Sequence, residues 1–238
     1  MSKRFIVDEL NISKQEQHVM VKGEEVHHIN VLRYEVGDKV YINEFEVVIE
    51  KLSKDTLEGT IVGKLPQRGI PKINITLIQS YLKSDKMEYV VQKAVELGVK
   101  RIIPVITKNT VVKLDEKDKT KKIERLSKIA KEAVEQCGRA DTVSVNQVEN
   151  IIKIDFTCYD AVLVCHETSE TSLKTTLGNL KNKNNIAVIV GPEGGLDNLE
   201  VEAILQNNNA VDVSLGERVL RAETASLAIL SILGYELV

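Results

Sequence analysis

Two nearly uninterrupted apolar runs, AVLVC (161–165) and IAVIV (186–190), constrain the fold of this chain more than any other feature. A strand that is apolar at every position has both faces buried, which is typical of parallel sheets covered by helices. The rest of 73–233 alternates between strand-like and helix-like patterns. The sequence therefore predicts an α/β fold with a parallel sheet in this region.

The individual elements follow from the hydrophobic periodicity. The predicted strands cover 73–79, 101–107, 161–165, 186–190 and 211–215, and the predicted helices cover 86–97, 119–136, 172–180, 197–206 and 222–233. The last helix is apolar on nearly every side, so we expect it to be deeply buried.

The region before residue 70 has a different pattern. It contains short β-branched and aromatic runs, separated by turn residues, and one helical stretch at 24–32. The predicted strands lie at 5–7, 19–21, 39–42, 45–50 and 57–62. Many short strands in a small region predict a small β-barrel. The segment PQRGIPK (66–72) is typical of a linker, so we predict one domain over 1–70 and a second over 71–238.

Composition excludes several classes of protein. The longest apolar runs are far shorter than the roughly 20 residues that a membrane span needs. The first residues lack the apolar core of a secretory signal, so a cytoplasmic location is expected. Three cysteines without CxxC spacing argue against a disulfide framework and a structural zinc site, and we expect no metal. We interpret the cysteines as small buried apolar residues.

Charge is unevenly distributed although the net charge is only −3. Residues 70–140 carry 16 Lys and Arg against 9 Asp and Glu, a net +7, whereas residues 141–238 carry 6 against 14, a net −8. A basic segment in an acidic chain is what a polyanion-binding surface would produce. A solvated helix face over 117–131 explains the same pattern without any ligand.

Three loops follow predicted strands, where parallel sheets bind ligands. They are CHETSE (165–170), GPEGG (191–195) and SLGERVLRAETA (214–225). In GPEGG, the missing β-carbons let backbone approach a ligand closely, which suits a flat, mostly neutral molecule. Neither GxGxxG nor GxxxxGK[ST] is present, which argues against a nucleotide-phosphate cradle. A tight strand-to-helix turn without a ligand is the alternative.

The third loop places two arginines and two glutamates around apolar residues, just before the last helix. Glu223 and Thr224 suit the first turn of a helix. Arg221 is unfavourable there because the helix dipole is positive at that end, so we expect it to hold a phosphate or a developing negative charge.

These motifs together resemble one family. GPEGG, followed about twenty residues later by LGERVLRAETA and an apolar helix, resembles the SPOUT methyltransferases, and most closely the RsmE family of 16S ribosomal RNA uridine-N3 methyltransferases. RFIV (4–7), HHINVLR (27–33), KSDKMEYVVQKAVELGV (83–99) and RLSKIAKEAVEQCGR (125–139) extend the resemblance over the whole chain. Leu126 stands where the family often has an aromatic residue.

The resemblance implies a PUA-like barrel followed by a SPOUT domain with a C-terminal trefoil knot. It also implies a homodimer that binds S-adenosylmethionine and methylates N3 of one uridine, uridine 1498 of 16S ribosomal RNA. The residues that would line the cofactor are Cys165, His166, Glu167, Gly191, Pro192, Glu193, Gly195, Leu215, Gly216, Val219, Leu220, Thr224 and Ala225.

Methylation of uridine N3 needs removal of a weakly acidic proton, for which a carboxylate is suited. Glu193 and Glu223 are the candidate bases, and Arg221 is the candidate for stabilising charge on the uracil carbonyls. The two glutamates could instead anchor loops or the dimer. Residues expected near RNA phosphates are Arg4, His28, Arg33, Lys83, Lys86, Lys93, Arg139 and Arg218.

Three alternatives remain at this stage. Another SPOUT activity, such as 2′-O-ribose methylation, would use a similar site. A non-catalytic RNA-binding assembly factor would explain the basic segment but not the two loop motifs. A nicotinamide-dependent dehydrogenase is disfavoured because the GxGxxG turn is missing.

Overall fold

The computed structural model describes residues 4–64 and 70–237, which fall into two compact units. The first unit comprises residues 1–70 together with 134–141, and the second comprises 71–133 and 142–238. The first unit thus includes the distant segment 134–141, which the sequence analysis assigned to the second domain. The predicted linker at 66–72 lies largely outside the described residues.

Six strands form the sheet of the first unit, in the order β1-β4-β5-β6-β3-β2. They are β1 (Arg4–Phe5), β2 (Ile12–Gln15), β3 (His18–Lys22), β4 (Lys39–Ile42), β5 (Phe45–Leu52) and β6 (Thr56–Lys64). Only β1 and β4 run parallel, and the other pairs are antiparallel. Helix α1 (Glu24–Val31) buries Val26 and Ile29 in the core of this unit. Closure of the sheet into a barrel stays a prediction.

Strand β2 is the one element of this sheet that the sequence pattern did not predict. Three of its four residues are exposed, and it pairs only with β3, through the register Gln15 to His18 at the turn. An edge strand with little buried surface lacks the apolar alternation on which strand prediction depends. The turn between β2 and β3 is tight, and Glu16 within it has a positive φ of 51°.

The second unit contains seven strands that all pair in parallel, which confirms the predicted parallel sheet. Six run in the order β10-β8-β7-β12-β11-β13, and β9 pairs with β8. Their bounds are β7 (Asn74–Ser80), β8 (Arg101–Ile106), β9 (Ser144–Val145), β10 (Glu149–Asn150), β11 (Ala161–Cys165), β12 (Asn185–Val190) and β13 (Ala210–Val213). The two apolar runs form β11 and most of β12, which are adjacent and buried along nearly their whole length.

Among the described residues, five α-helices accompany these strands: four lie between strands and the last follows β13. They are α2 (Lys86–Glu96), α3 (Glu116–Cys137), α4 (Leu173–Leu177), α5 (Asn198–Leu205) and α6 (Ala222–Leu237). Helix α3 begins three residues earlier than predicted, because the Asp115 carboxylate accepts the backbone N–H of Asp118 at 2.7 Å and caps the first turn. The predicted helix at 172–180 is short, since its last part is a 3-10 turn over Gly178–Leu180.

The last helix differs most from expectation. It continues through Gly234 to Leu237, and it packs against α2 and β12. One side is buried, as predicted, with Ile229, Leu230 and Leu233 fully inaccessible. The opposite side is not: 86% of Tyr235 is accessible to solvent. The expectation that the whole helix is deeply buried was therefore wrong for a single copy of the chain. In the part of the chain that the structure describes, no helix has the length and apolarity to cross a membrane.

Candidate functional site

The site lies where several strands of the second sheet end together. In the parallel register, Val190 of β12 pairs with Gln79 of β7 and with Cys165 of β11, and Cys165 pairs in turn with Val213 of β13. These four residues lie at or next to the carboxyl ends of four adjacent strands, at one edge of the sheet. The three loops identified in the sequence therefore begin side by side, as expected for a ligand site in a parallel sheet.

The turn after β12 needs glycine at two positions. A β-carbon on Gly191 would lie 3.0 Å from the backbone nitrogen of Leu196 and 3.1 Å from the carbonyl carbon of Gly195, which is closer than ordinary contact. Gly195 has a φ of +71°, which side chains disfavour. Its N–H donates to the Pro192 carbonyl oxygen at 3.0 Å and closes the turn. Asp197 then caps α5 by accepting the N–H of Leu199.

A buried polar network fixes this turn from within the protein. The Gln79 amide group donates at 3.4 Å to the carbonyl oxygens of both Val190 and Gly191. The hydroxyl of Ser226 on α6 donates to the Gln79 side-chain oxygen, and both side chains are completely buried. The network therefore joins β7, the glycine turn and the last helix. Neither Gln79 nor Ser226 was predicted, and the available signal was a polar residue at the end of an apolar strand.

A second brace holds the turn from the other side. The Asn109 side-chain amide donates to the carbonyl oxygens of Gly194, at 3.3 Å, and Gly195, at 3.2 Å. Asn109 lies beyond the end of β8, outside every motif of the sequence analysis. The turn is thus held in one conformation by side chains from distant segments, which makes it suitable for preorganised binding.

These segments enclose a cavity of about 300 Å³. Every residue predicted to line the cofactor borders it except Thr224, which is exposed on the first turn of α6. Arg218 and Arg221 also border the cavity. The cavity is also lined by residues that the sequence analysis did not predict as cofactor contacts. They are Lys86, Val190, Leu196, Val213, Ser214, Glu217 and Ala222. Most of these are neighbours of the motifs, but Lys86 comes from α2 and could be found only from the fold.

Lys86 brings the two candidate catalytic glutamates together. Its ammonium nitrogen lies 3.3 Å from Oε1 of Glu223 and 3.7 Å from Oε1 of Glu193. The backbone N–H of Lys83 also donates to Oε1 of Glu193, at 3.3 Å. Of these groups, Lys86 and Glu193 border the cavity, and Glu223 is joined to it through Lys86. Lys86 is therefore held by carboxylates, which is a different setting from the RNA phosphate contact expected from the sequence.

Glu223 is the more constrained of the two glutamates. Burial acts to raise the pKa of its carboxyl group, but a backbone hydrogen bond and the positive charges of Lys86 and Arg221 outweigh burial and lower the pKa below its ordinary value. Oε2 of Glu223 is inaccessible to solvent and has no hydrogen-bond partner among the residues that the structure describes. The ionised carboxylate thus keeps one buried oxygen that could accept a further hydrogen bond.

Cys165 forms part of the cavity wall and is only partly accessible. Burial raises the pKa of its thiol to about 12, so the reactive thiolate is scarce at neutral pH. Cys137 and Cys158 are exposed, which corrects the interpretation of all three cysteines as buried. Cys137 is the last residue of α3 and Cys158 lies in a turn before β11, and each thiol contacts a backbone carbonyl oxygen three residues earlier.

The residues expected to contact RNA have diverse surroundings. Arg33, Lys83 and Arg218 are exposed, and Arg33 occupies a tight bend with a φ of 60°. Lys93 is paired with Glu96 one helical turn away, at 2.8 Å. The ring of His28 is partly exposed, contacts Phe5 edge-on and lies 3.8 Å from a Glu25 carboxylate oxygen.

Arg4 and Arg139 require a correction. They are 5% and 3% accessible, and both are used inside the first unit. The Arg4 guanidinium donates to the carbonyl oxygens of Asn43, Arg139 and Asp141. The Arg139 guanidinium binds both carboxylate oxygens of Asp141 at 2.7 Å. We therefore assign these two arginines to the structure of the unit and not to RNA binding.

One set of side chains among the described residues has the composition of a metal site. Ligand atoms of Glu25, His28 and Glu135 lie within 4.8 Å of one another. Glu135 is buried, and one of its oxygens already accepts the backbone N–H of Ile6 at 3.0 Å. The cluster lies in the first unit and contributes nothing to the cavity described above.

Comparison with known proteins identifies both units. The family described as the RNA methyltransferase domain matches residues 70–234, and the family described as the RNA methyltransferase PUA domain matches residues 21–62. The sequence is 33% identical over 229 residues to a Bacillus subtilis protein named ribosomal RNA small subunit methyltransferase E, covering 91% of this chain and 89% of the relative. A Rickettsia conorii protein of the same name is 31% identical, with 85% and 83% covered.

Solved structures show the same fold. The ribosomal RNA small subunit methyltransferase E of Neisseria gonorrhoeae, solved with S-adenosyl methionine bound, superposes with a TM-score of 0.84 at 28% identity and covers 98% of this chain and 97% of its own. A methyltransferase of Legionella pneumophila in complex with the same cofactor gives 0.84 at 28%, covering 99% and 98%. By sequence and by fold, the chain belongs to the ribosomal RNA small subunit methyltransferase E family of RNA methyltransferases.

Proposed function

We propose that this protein transfers a methyl group from S-adenosylmethionine to N3 of one uridine in 16S ribosomal RNA, uridine 1498. The observation that carries the proposal is the cavity between the glycine turn at 191–195 and the segment 215–221. Two relatives with the same fold were solved with this methyl donor. We infer that the enzyme acts in the cytoplasm, on the small ribosomal subunit.

The residues of the cavity fit this cofactor. A volume of about 300 Å³ is at the lower end of the range typical of small-molecule sites. A β-carbon on Gly191 would collide with Leu196 and Gly195, so glycine at this position lets the turn close beside the cavity. The backbone of the turn and of Leu215–Leu220 would hold the adenine, and Glu167 faces Gly195 across the cavity. When bound, the cofactor supplies an electrophilic methyl group.

The chain itself would prepare the nucleophile. Uridine N3 carries a proton that must be removed or shared before N3 can attack, and a carboxylate can accept it. Glu223 is the preferred candidate, because its Oε2 is a buried acceptor without a partner among the described residues while Lys86 holds its Oε1. Arg221 is exposed at the rim and would stabilise negative charge on a uracil carbonyl oxygen. The rest of the catalytic effect is positioning.

RNA contact would come from the exposed cations. Lys83 contacts the cavity residue Glu193 through its backbone N–H, and Arg218 borders the cavity itself. Arg33 and His28 belong to the first unit, for which an RNA-binding role is consistent with its match to the PUA domain of RNA methyltransferases. Contacts of this type position the RNA without reading its sequence.

The exposed side of α6 supports the predicted homodimer. Ile232 and Tyr235 are accessible on this helix, and Tyr89 is 47% accessible on α2, the helix against which α6 packs. Apolar surface of this kind is typical of a protein interface. We propose that a second copy of the chain covers it. The trefoil knot that the family resemblance implies remains part of this proposal.

Methylation of isolated small subunits tests the function. Subunits from a strain lacking the gene are incubated with the enzyme and labelled S-adenosylmethionine. The RNA is digested to nucleosides to identify the product, and to oligonucleotides to locate it. We expect one 3-methyluridine per subunit, at uridine 1498. A labelled 2′-O-methyl nucleoside would instead support the other SPOUT activity. Absence of label, together with no binding of the cofactor in calorimetry, would support the assembly-factor alternative.

A further inference from the structure

Lys86 is the only side chain from α2 that lines the cavity within the described part of the chain. It reaches across to residues more than 100 positions further along, Glu193 in the glycine turn and Glu223 at the start of α6. Two carboxylates so near each other would repel unless a cation lay between them. The ammonium group of Lys86 occupies that position.

We propose that Lys86 is a positioning residue of the reaction centre: it holds Glu193 and Glu223 together and fixes the Glu223 carboxylate with Oε2 unpaired, so that the bound uridine can supply the missing donor. This inference rests on the proposed function. It also replaces the role in RNA binding that the sequence suggested for Lys86, since a phosphate approaching this ammonium would meet two carboxylates.

The geometry assigns different tasks to the two oxygens of Glu223. Oε1 contacts Lys86 at 3.3 Å, whereas Oε2 is buried without a hydrogen-bond partner among the described residues. A buried carboxylate oxygen without a partner is unfavourable unless a ligand supplies the donor. A uracil N3–H would be such a donor. The Lys86 contact holds Oε1, so that Oε2 is the oxygen left without a donor.

Lys86 also helps to keep Glu223 able to accept a proton. Burial alone would raise the pKa of this carboxyl group, and the charges of Lys86 and Arg221 contribute to lowering it. Removing the Lys86 charge should therefore raise the pKa of Glu223. Other titratable or charged groups that border the cavity are Cys165, His166, Glu167, Glu193, Glu217 and Arg218. Among these, Glu193 also contacts Lys86, so the Glu223 signal itself must be followed.

The first experiment measures the pH dependence of turnover. Lys86→Met should move the acidic limb of the kcat profile to higher pH and lower kcat at pH 6 by about tenfold, which is a modest part of a general-base contribution. The KM for the small subunit should change by less than about twofold, because the RNA contacts remain. Lys86→Arg, which keeps a cation, should restore the position of the limb.

A matched control is available on α3. Lys119 forms an ion pair with Glu116 at 2.6 Å on the helix surface, and neither residue borders the cavity. Lys119→Met also removes a lysine that is paired with a glutamate, but away from the cavity. It should leave the pH profile unchanged. Surface pairs of this type contribute little to stability.

The second experiment requires no methyl transfer, so it separates this inference from the proposed function. Carboxyl carbons of ¹³C-labelled glutamate are titrated by NMR in the protein alone, and Glu223→Gln identifies the Glu223 signal. In Lys86→Met this signal should titrate at higher pH than in the natural protein. If Lys86→Met does not fold, as judged by circular dichroism, Lys86→Gln serves for the same measurements.

Two results would overturn the inference. One is an unchanged Glu223 titration in a folded Lys86 variant. The other is an unchanged kcat profile together with a raised KM for RNA and a shallower dependence of binding on salt, which would make Lys86 a phosphate contact after all.

Discussion

The hydrogen bond between Ser226 and Gln79 allows a quantitative test of how the cofactor site is built. Ser226→Ala removes the hydroxyl that donates to the side-chain oxygen of Gln79, in a place where neither residue has any solvent exposure. A buried acceptor without a donor costs about 1–3 kcal/mol. We expect a lower free energy of unfolding by this amount.

The partner substitution acts on the other side of the same network. Gln79→Met keeps the length of the side chain but removes the amide that donates to Val190, Gly191 and the carbonyl oxygen of Ser80. Two of these contacts are long, at 3.4 Å, so we expect a loss of about 1–3 kcal/mol and not the sum of three full bonds. In the double variant the hydroxyl and the amide are both absent. The combined loss should therefore be smaller than the sum of the single losses by about 1 kcal/mol.

Urea unfolding of the four proteins measures this coupling, with the midpoint interpreted only where the slope is unchanged. Ser127→Ala, at an exposed position of α3, is the control and should stay within about 0.5 kcal/mol. Both single variants should also weaken S-adenosylmethionine binding, because the network fixes the turn. Losses that add to within about 0.3 kcal/mol would refute the coupling.

Three further predictions concern other parts of the chain. Gly191→Val should weaken binding of S-adenosylmethionine at least about tenfold in calorimetry, because its β-carbon would displace the backbone of Leu196; unaltered affinity would contradict the proposed cavity. Asp141→Asn should lower the free energy of unfolding by about 3 kcal/mol, because the buried Arg139 guanidinium would lose its ion pair with the Asp141 carboxylate, and its effect on the salt dependence of RNA binding should be nil. Lys83→Met should weaken RNA binding and reduce the logarithmic salt slope by about one, measured by filter binding, and an unchanged slope would remove Lys83 from the RNA surface.

The sequence predicted most of the second unit because its signals are local. Continuous apolar runs identified β11 and β12, and the parallel sheet followed from their alternation with helices. The loops at the strand ends were then placed together by a general property of such sheets. Local signals were weaker in β2, because this strand buries little surface. They also misplaced the end of α6, because the helix continues through Gly234 where a glycine usually ends a helix.

What the sequence could not supply are the partners of charged and polar side chains. The sequence gives no sign that Arg4 and Arg139 differ from Arg33. In the structure, however, the first two are buried and form hydrogen bonds within the first unit. Lys86 likewise looked like a free cation until α2 was placed beside the glycine turn. Charge composition identifies a basic segment, but only the fold determines which cations remain available to a polyanion.

The bond from Ser226 to Gln79 spans 147 positions of the chain, which has a consequence for biosynthesis. A nascent polypeptide that has emerged only as far as β12 contains the glycine turn but not the hydroxyl that secures it. Closing so long a loop is slow compared with forming local helices. We therefore expect the binding pocket to mature among the last steps of folding, after the sheet that surrounds it.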